Sequence, residues 1–208
     1  LLLKSLKKNF ISSYGPYIDK FQKKFSYIYG FKNCFAVNSG TSAIHLALLA
    51  SGVSKNDLVI TQSYTFAAST NAILYCNAEP WFFDISKKNY SLDLELVDKI
   101  LEKNSYLKNG HIYNKKTHQR VMAIMPVFSF GIPIDYKKLK KISKKYKLKI
   151  ICDAAAAHGA LKFFKKEKPI KGFFCFSFNG NKTLTSGNGG MICTNEKNYN
   201  NYINSLIN

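Results

Sequence analysis

Three clusters in this 208-residue chain have residue types and spacings that chemistry could use. Lys182 lies in FSFNGNKTLTSGNGG, among Ser, Thr, Asn and Gly and beside apolar runs, whereas most other lysines stand in charged company. A lysine held in a crevice is desolvated, loses basicity and becomes a nucleophile for aldehydes. A lysine on an open loop does none of this, and the residues alone admit both readings. Asp153 follows the apolar run Leu148 to Cys152, so its carboxylate stands at the C-terminal end of a strand, where α/β domains bind ligands. There it needs a cationic or hydrogen-bond-donating partner, or else it caps the segment from Ala154 onward. Asn38-Ser39-Gly40-Thr41-Ser42-Ala43 follows another apolar run and opens a helical pattern, so backbone N–H groups and the hydroxyls of Thr41 and Ser42 point outward. That arrangement suits a phosphate, but Ser-Gly-Thr-Ser is also good N-cap chemistry with no ligand at all, and the residues alone favour the cap.

These clusters need strands that end beside one another. Short apolar runs alternate with helical patterns along the chain, the signature of an α/β domain around a mainly parallel sheet. Tyr17, Phe21, Phe25 and Ile28 predict an amphipathic helix that Gly30 can terminate. CFAVNS and LVITQ read as strands, with helices from Thr41 to Ala50 and from Phe66 to Cys76. PWFFDI, VMAIMPV, LKIICDA, FFCFSF and GMICT read as buried strands, and a lysine-rich helix runs from Asp135 to Tyr146. The polar segment Asn104 to Gln119, with its Asn-Gly and several lysines, reads as an exposed excursion before VMAIMPV. The last residues, EKNYNNYINSLIN, have a short helical pattern, and nothing marks a domain boundary within the chain.

Composition narrows the functional classes. A hydrophobic content of 46% fits one globular domain with a real core rather than a disordered tail. The formal charge of +19 would draw polyanions, yet Arg120 is the single arginine and the lysines are spread along the chain. Bidentate recognition of bases and phosphates prefers arginine, so the charge reads as a solvated lysine-rich surface and not as a nucleic-acid interface. Cys34, Cys76, Cys152, Cys175 and Cys193 show no C-x-x-C pairing and sit in or beside apolar runs, which reads as buried free thiols in a reducing compartment. The four histidines form no metal-ligand pair, so no metal is expected. LLLKSLKKNF makes a poor signal peptide and no stretch approaches a membrane span, so the expectation is a cytoplasmic protein without membrane contact.

Taken together, the early phosphate cradle, Asp153, Ser177 on the strand leading to the lysine, and Lys182 resemble the DegT/DnrJ/EryC1/StrS family of sugar aminotransferases, across essentially the whole chain. The family is a branch of the fold type I, aspartate-aminotransferase-like pyridoxal-phosphate enzymes. VNSGTSAIHLAL is similar to its phosphate-binding turn, which implicates Thr41 and Ser42. QSYTFAASTNAI resembles the segment whose aromatic, here Phe66, stacks on the pyridine ring. ICDAAAAHGA resembles the aspartate motif, with Asp153 pairing with the ring nitrogen. FSFNGNKTLTSGNGG resembles the lysine motif, which implicates Ser177 in phosphate binding and Lys182 as catalytic residue and covalent carrier of the cofactor. ISSYGPYIDKFQKKF looks like the family's N-terminal helix approach. Two positions depart from the pattern: Phe128 stands where the family usually has histidine, and Ala156 where it carries Gln or Glu near the ring hydroxyl.

The resemblance implies a three-layer α/β fold, with residues 1–208 as the pyridoxal-phosphate-binding large domain and the family's smaller C-terminal domain absent from this sequence. It implies transfer of an amino group from an amino acid, glutamate in the family, to a keto group of a nucleotide-linked sugar destined for surface polysaccharide, by an enzyme that is a homodimer when complete. The FNGNK form of the lysine motif resembles the subgroup acting on UDP-linked 4-keto-6-deoxy-N-acetylhexosamines. Dehydratase variants of the family lack the lysine, so Lys182 speaks against them. The alternative is a truncated or degenerate relative that has lost catalysis and serves as a binding or partner subunit, a reading motivated by Ala156 and the absent second domain.

Overall fold

The computed structural model describes residues 2–7, 15–167 and 170–207. Residues 11–14, the start of the ISSYGPYIDKFQKKF segment, lie outside the described residues, as do the last three residues of LLLKSLKKNF. After a short helix α1 (Leu2–Lys7), the expected amphipathic helix is α2 (Pro16–Tyr29). It buries Phe25 and Tyr29 and ends at Gly30, whose φ of 75° turns its N–H back to the Ser26 carbonyl. Then β1 (Asn33–Val37), α3 (Gly40–Ala50), β2 (Leu58–Gln62), α4 (Ala67–Tyr75) and β3 (Glu79–Phe83) follow where the apolar runs and helical patterns place them.

Two elements depart from the sequence reading. Leu94, Val97 and Leu101 form the buried stripe of a helix, α5 (Leu94–Asn104), whose Asp93 cap accepts from the N–H groups of Glu95 and Leu96. The polar segment that follows is not simply an exposed excursion. It folds as a hairpin of β4 (Ser105–Lys108) and β5 (His111–Asn114), and β5 adds antiparallel to the start of β6 (Arg120–Met125). Asn109-Gly110 is its turn, with φ of 50° and 79°, and Ile112 is buried on the sheet. The remaining elements are α6 (Tyr136–Tyr146), β7 (Lys149–Asp153), α7 (Leu161–Lys166), β8 (Phe173–Ser177), β9 (Gly190–Thr194) and α8 (Asn200–Ile207).

The main sheet runs β1-β9-β8-β7-β6-β2-β3. β3, β2, β6, β7 and β8 are parallel neighbours, while β9 runs antiparallel to both β8 and β1. Every strand of this path but β9 therefore points the same way, and their C-terminal ends share one edge. Both faces are covered. On one face Phe174, Phe176, Ile124 and Ile60 join a core with Phe25, Leu101 and Leu139 from α2, α5 and α6. On the other, Phe173, Cys175, Ala123 and Val59 pack with Ala47 of α3, Ile73 of α4 and Ile203 of α8. Alternate residues of one strand thus serve opposite layers, and each fully buried Phe contributes roughly 1.5–3 kcal/mol relative to an exposed one. All five cysteines lie in this interior as free thiols.

At the sheet's other edge, where the parallel strands begin, the single arginine closes the bottom of the domain. Arg120 grips Asp57 with a fork, Nε at 2.7 Å from Oδ1 and Nη2 at 2.6 Å from Oδ2, and ties the start of β6 to the start of β2. Asp57 is buried and also accepts from the backbone N–H and hydroxyl of Ser54.

Candidate active site

At the C-terminal edge the segments after β1, β7 and β8 meet at a cavity of about 350 Å³. Its walls include Thr41, Phe66, Asp153, Ser177 and Lys182, five of the six residues singled out from the sequence. Ser42, the sixth, does not line it. Its backbone N–H is donated to the Ser39 hydroxyl at 3.1 Å and its own hydroxyl lies 2.9 Å from that of Ser39, so Ser42 serves the N-cap of α3. Thr41 instead faces the cavity beside Ser39 and Gly40.

The N-terminus of α3 reaches the sheet because position 40 is glycine. A Cβ there would stand 2.7 Å from the Ser177 Cβ, a separation real side chains do not tolerate, so Gly40 lets the helix end and the Ser177 hydroxyl share one wall. Behind Ser177, His158 is buried among the rings of Phe25, Phe176 and Phe178, and its Nε2 lies 2.7 Å from the Ser177 carbonyl oxygen. A carbonyl only accepts, so Nε2 carries the proton. Burial lowers the His158 pKa below that of an ordinary histidine and keeps the ring neutral in this brace.

Asp153 ends β7 with its side chain buried. Oδ2 accepts from the Ser69 hydroxyl at 2.6 Å and Oδ1 from the Ala155 N–H at 3.1 Å. Among the described residues no cation lies within ion-pair distance of it. Burial raises its pKa, and the Ser69 hydroxyl, the Ala155 N–H and the more distant Lys182 charge oppose that rise. The result is a buried acid facing a cavity with hydrogen-bond donors but no countercharge.

Lys182 sits in the loop between β8 and β9, half-buried, with Nζ 5.9 Å from the centroid of the Phe66 ring. The loop is closed by its own backbone: Lys182 N–H donates to Asn179 O, Ser186 N–H to Phe178 O and Phe178 N–H to Gly189 O. Phe66 caps the start of α4 and is 75% exposed, so one of its faces is available for stacking.

A second cavity, of about 410 Å³, adjoins the first and shares Phe66, Asp153, Ala155 and Lys182 with it. Tyr64 and Phe130 line its outer side, and Phe130 holds its ring 70% exposed at a φ of 54°. One residue organises that side. Gln62, wholly buried at the end of β2, donates to the carbonyls of Tyr64 and Tyr90 and to Ser129, and accepts from the N–H groups of Leu92 and Val127. In the sequence Gln62 is the last residue of the strand LVITQ, and Ser69 is one of several hydroxyl residues in QSYTFAASTNAI. A polar residue inside an otherwise apolar strand was the available signal for the first, and hydroxyls four apart at a helix start for the second.

Of the two departures from the family pattern, Phe128 is 1% exposed and packs edge-on against Phe163 and Phe174, so it has joined the core. Ala156 lines the second cavity and offers no side-chain hydrogen bond.

The model of the DegT/DnrJ/EryC1/StrS aminotransferase family matches residues 1–208. The chain is similar to GDP-perosamine synthase of Caulobacter vibrioides, 35% identical over 195 residues that cover 94% of this chain and 48% of the relative. It is 30% identical to dTDP-3-amino-3,4,6-trideoxy-alpha-D-glucose transaminase of Micromonospora megalomicea subsp. nigra over 88% of this chain and 45% of that protein. A solved structure of NtdA from Bacillus subtilis with bound cofactor PMP superposes with a TM-score of 0.78 at 26% identity, covering 95% of this chain and 41% of that one. The chain spans about half the length of the curated relatives it matches.

Proposed function

We propose, from the premise that the chain belongs to the DegT/DnrJ/EryC1/StrS aminotransferase family, that it is the cofactor-binding half of a pyridoxal-phosphate-dependent sugar aminotransferase. The observation that carries this reading is the convergence of Asp153 and Lys182, from the ends of different strands, on one cavity that the N-terminus of α3 also faces. The residues fit the group. A buried carboxylate with two donors and no cation is what a protonated ring nitrogen needs opposite it. The helix end, Thr41 and Ser177 line the same cavity and suit a phosphate there. Phe66 offers a ring face between these walls and the outside.

When bound, the cofactor supplies an electron sink for the negative charge left on an amino acid that has lost its α-proton. The chain supplies the rest. Asp153 holds a positive charge at the ring nitrogen by staying ionised. Lys182 Nζ would hold the cofactor covalently and is the amine that would take up a proton there and return it. The close approach of Gly40 to Ser177 would let these residues hold the phosphate end and so place the reacting end beforehand.

The amino group would pass from an amino acid, glutamate by family resemblance, to a keto group of a nucleotide-linked sugar for surface polysaccharide. GDP and dTDP appear in the names of the two relatives, and the lysine motif resembles a UDP-hexosamine subgroup, so the proposal is for the shared class, a nucleotide-linked keto sugar. Among the described residues no helix is long and apolar enough to cross a membrane. We place the reaction in the cytoplasm, with a homodimer as the complete enzyme. Ala156 favours a second reading, a relative that has lost catalysis and acts as a binding subunit.

Titration with pyridoxal phosphate followed by borohydride trapping and peptide mapping decides between them. The expected result is label on Lys182, absent in Lys182→Ala. No uptake, or label scattered over surface lysines, would select the second reading.

A further inference from the structure

Ser69 is fully buried on α4 and bonds a carboxylate that is distant in sequence, on β7. Its hydroxyl has one proton. A carboxylate only accepts, so that proton goes to Asp153 Oδ2 at 2.6 Å. The Ser69 oxygen must then accept in its 2.8 Å contact with Thr65 Oγ1, which makes Thr65 the donor there. The backbone of the same residue points the other way along the chain: Ser69 N–H donates to the Phe66 carbonyl at 3.1 Å, the first turn of α4. Ser69 therefore holds, by side chain and by main chain, the two groups read above as facing the cofactor ring on its nitrogen and on its flat face.

We propose that Ser69 is a positioning residue for the cofactor: it aims the Asp153 carboxylate and registers it against Phe66, with Thr65 completing the hydroxyl chain. This rests on the reading that Asp153 and Phe66 meet a pyridine ring. The backbone of Asp153 is already fixed, since its N–H donates to Pro126 O and its carbonyl accepts from Phe128 N–H. Only the carboxylate plane is left to set, and two donors, one on each oxygen, set it. The other titratable groups around it are Lys182 from the β8–β9 loop and the buried thiols of Cys152 and Cys175, whose own pKa values burial raises. Without Ser69 one buried oxygen would have no donor, and a proton would settle there instead. A neutral Asp153 cannot hold a positive charge at a ring nitrogen.

The test needs a readout that a merely structural contact would not move. Carboxyl-carbon NMR of Asp153 is followed against pH in the cofactor-free chain for wild type, Ser69→Ala and Ser69→Cys, the last keeping the volume with a weak donor. The expected midpoint rises in the order Ser, Cys, Ala, by about one unit or more for Ala, the worth of one hydrogen bond to a charged group. The same variants are then titrated with pyridoxal phosphate, and both affinity and the pH midpoint of the bound absorbance band should change in that order, with at least a tenfold weaker affinity for Ala at about 1.4 kcal/mol per decade. An unchanged Asp153 midpoint in a folded variant, or unchanged affinity and band midpoint beside normal uptake by wild type, overturns the proposal and leaves the functional reading standing. No uptake by wild type overturns the functional reading, and the ring-positioning role falls with it.

Discussion

Asp57 and Asp153 are both buried, at opposite ends of the parallel strands of one sheet, and the chain treats them in opposite ways. Asp57, where the strands begin, is gripped on both oxygens by Arg120 and by Ser54. Asp153, where they end, receives one hydroxyl and one amide and faces a cavity. Burying a carboxylate is tolerable when a cation and hydrogen bonds meet it, and costly when no cation does. The first edge therefore uses its acid for stability. The second leaves its acid without an ion-paired countercharge among the described residues, which suits the proposed function, in which a ring nitrogen would supply one.

The contrast can be broken at its strongest point first. Asp57→Ala should cost about 3 kcal/mol in urea unfolding, because it strands a partly buried guanidinium and leaves the Ser54 N–H and hydroxyl without their acceptor. A loss below about 1 kcal/mol would mean the fork is solvated and the two edges are alike. Arg120→Lys keeps the charge but not the fork, and should cost about 1–2 kcal/mol by the same measurement.

Asp153→Asn sharpens the other side and carries the smallest expected change. The folded-state pKa of Asp153 is raised by burial, so the protonated form is the one that folding favours. Its contribution to stability is full below the ordinary aspartate value near 3.8 and is lost as pH rises through the raised folded value. Relative to wild type, the Asn variant should therefore gain stability as pH rises above the ordinary aspartate value near 3.8, while losing pyridoxal-phosphate uptake. Unfolding curves at several pH values decide this. A variant less stable than wild type at neutral pH would show that Asp153 is as structural as Asp57.

Much of this was legible in the sequence. Buried strands announce themselves as apolar runs, and both Asp153 and Lys182 were identified because they stand at the ends of such runs in unusual company. The hairpin of β4 and β5 was hidden because each strand has only four residues, and lysines and asparagines break the alternation that a half-buried strand normally shows. Helix α5 carries a stripe of Leu94, Val97 and Leu101, but charged residues stand between them and the segment carries no element assigned from the sequence alone. Ser69 and Gln62 are a different case. Their importance lies in partners on other elements, Asp153 for one and three separate loops for the other, and no local pattern encodes those distances. Ser42 shows the reverse limit, for a hydroxyl at a helix start looks the same in sequence whether it meets a ligand or a neighbouring serine.

The reversed strand β9 has a kinetic meaning. Because it returns beside β8 instead of crossing over a helix, the segment bearing Lys182 is tethered at both ends by the pairing of Ser177 with Gly190. A surface lysine meets a dissolved aldehyde as a second-order encounter, at whatever concentration the solution provides. Once a phosphate is seated on α3, the Lys182 amine is confined by a short two-ended tether, and its effective concentration toward an aldehyde on the same molecule is on the order of millimolar or higher. On the proposed function, a chain with 31 basic residues would select one amine by confinement, without needing it to be more nucleophilic than the others.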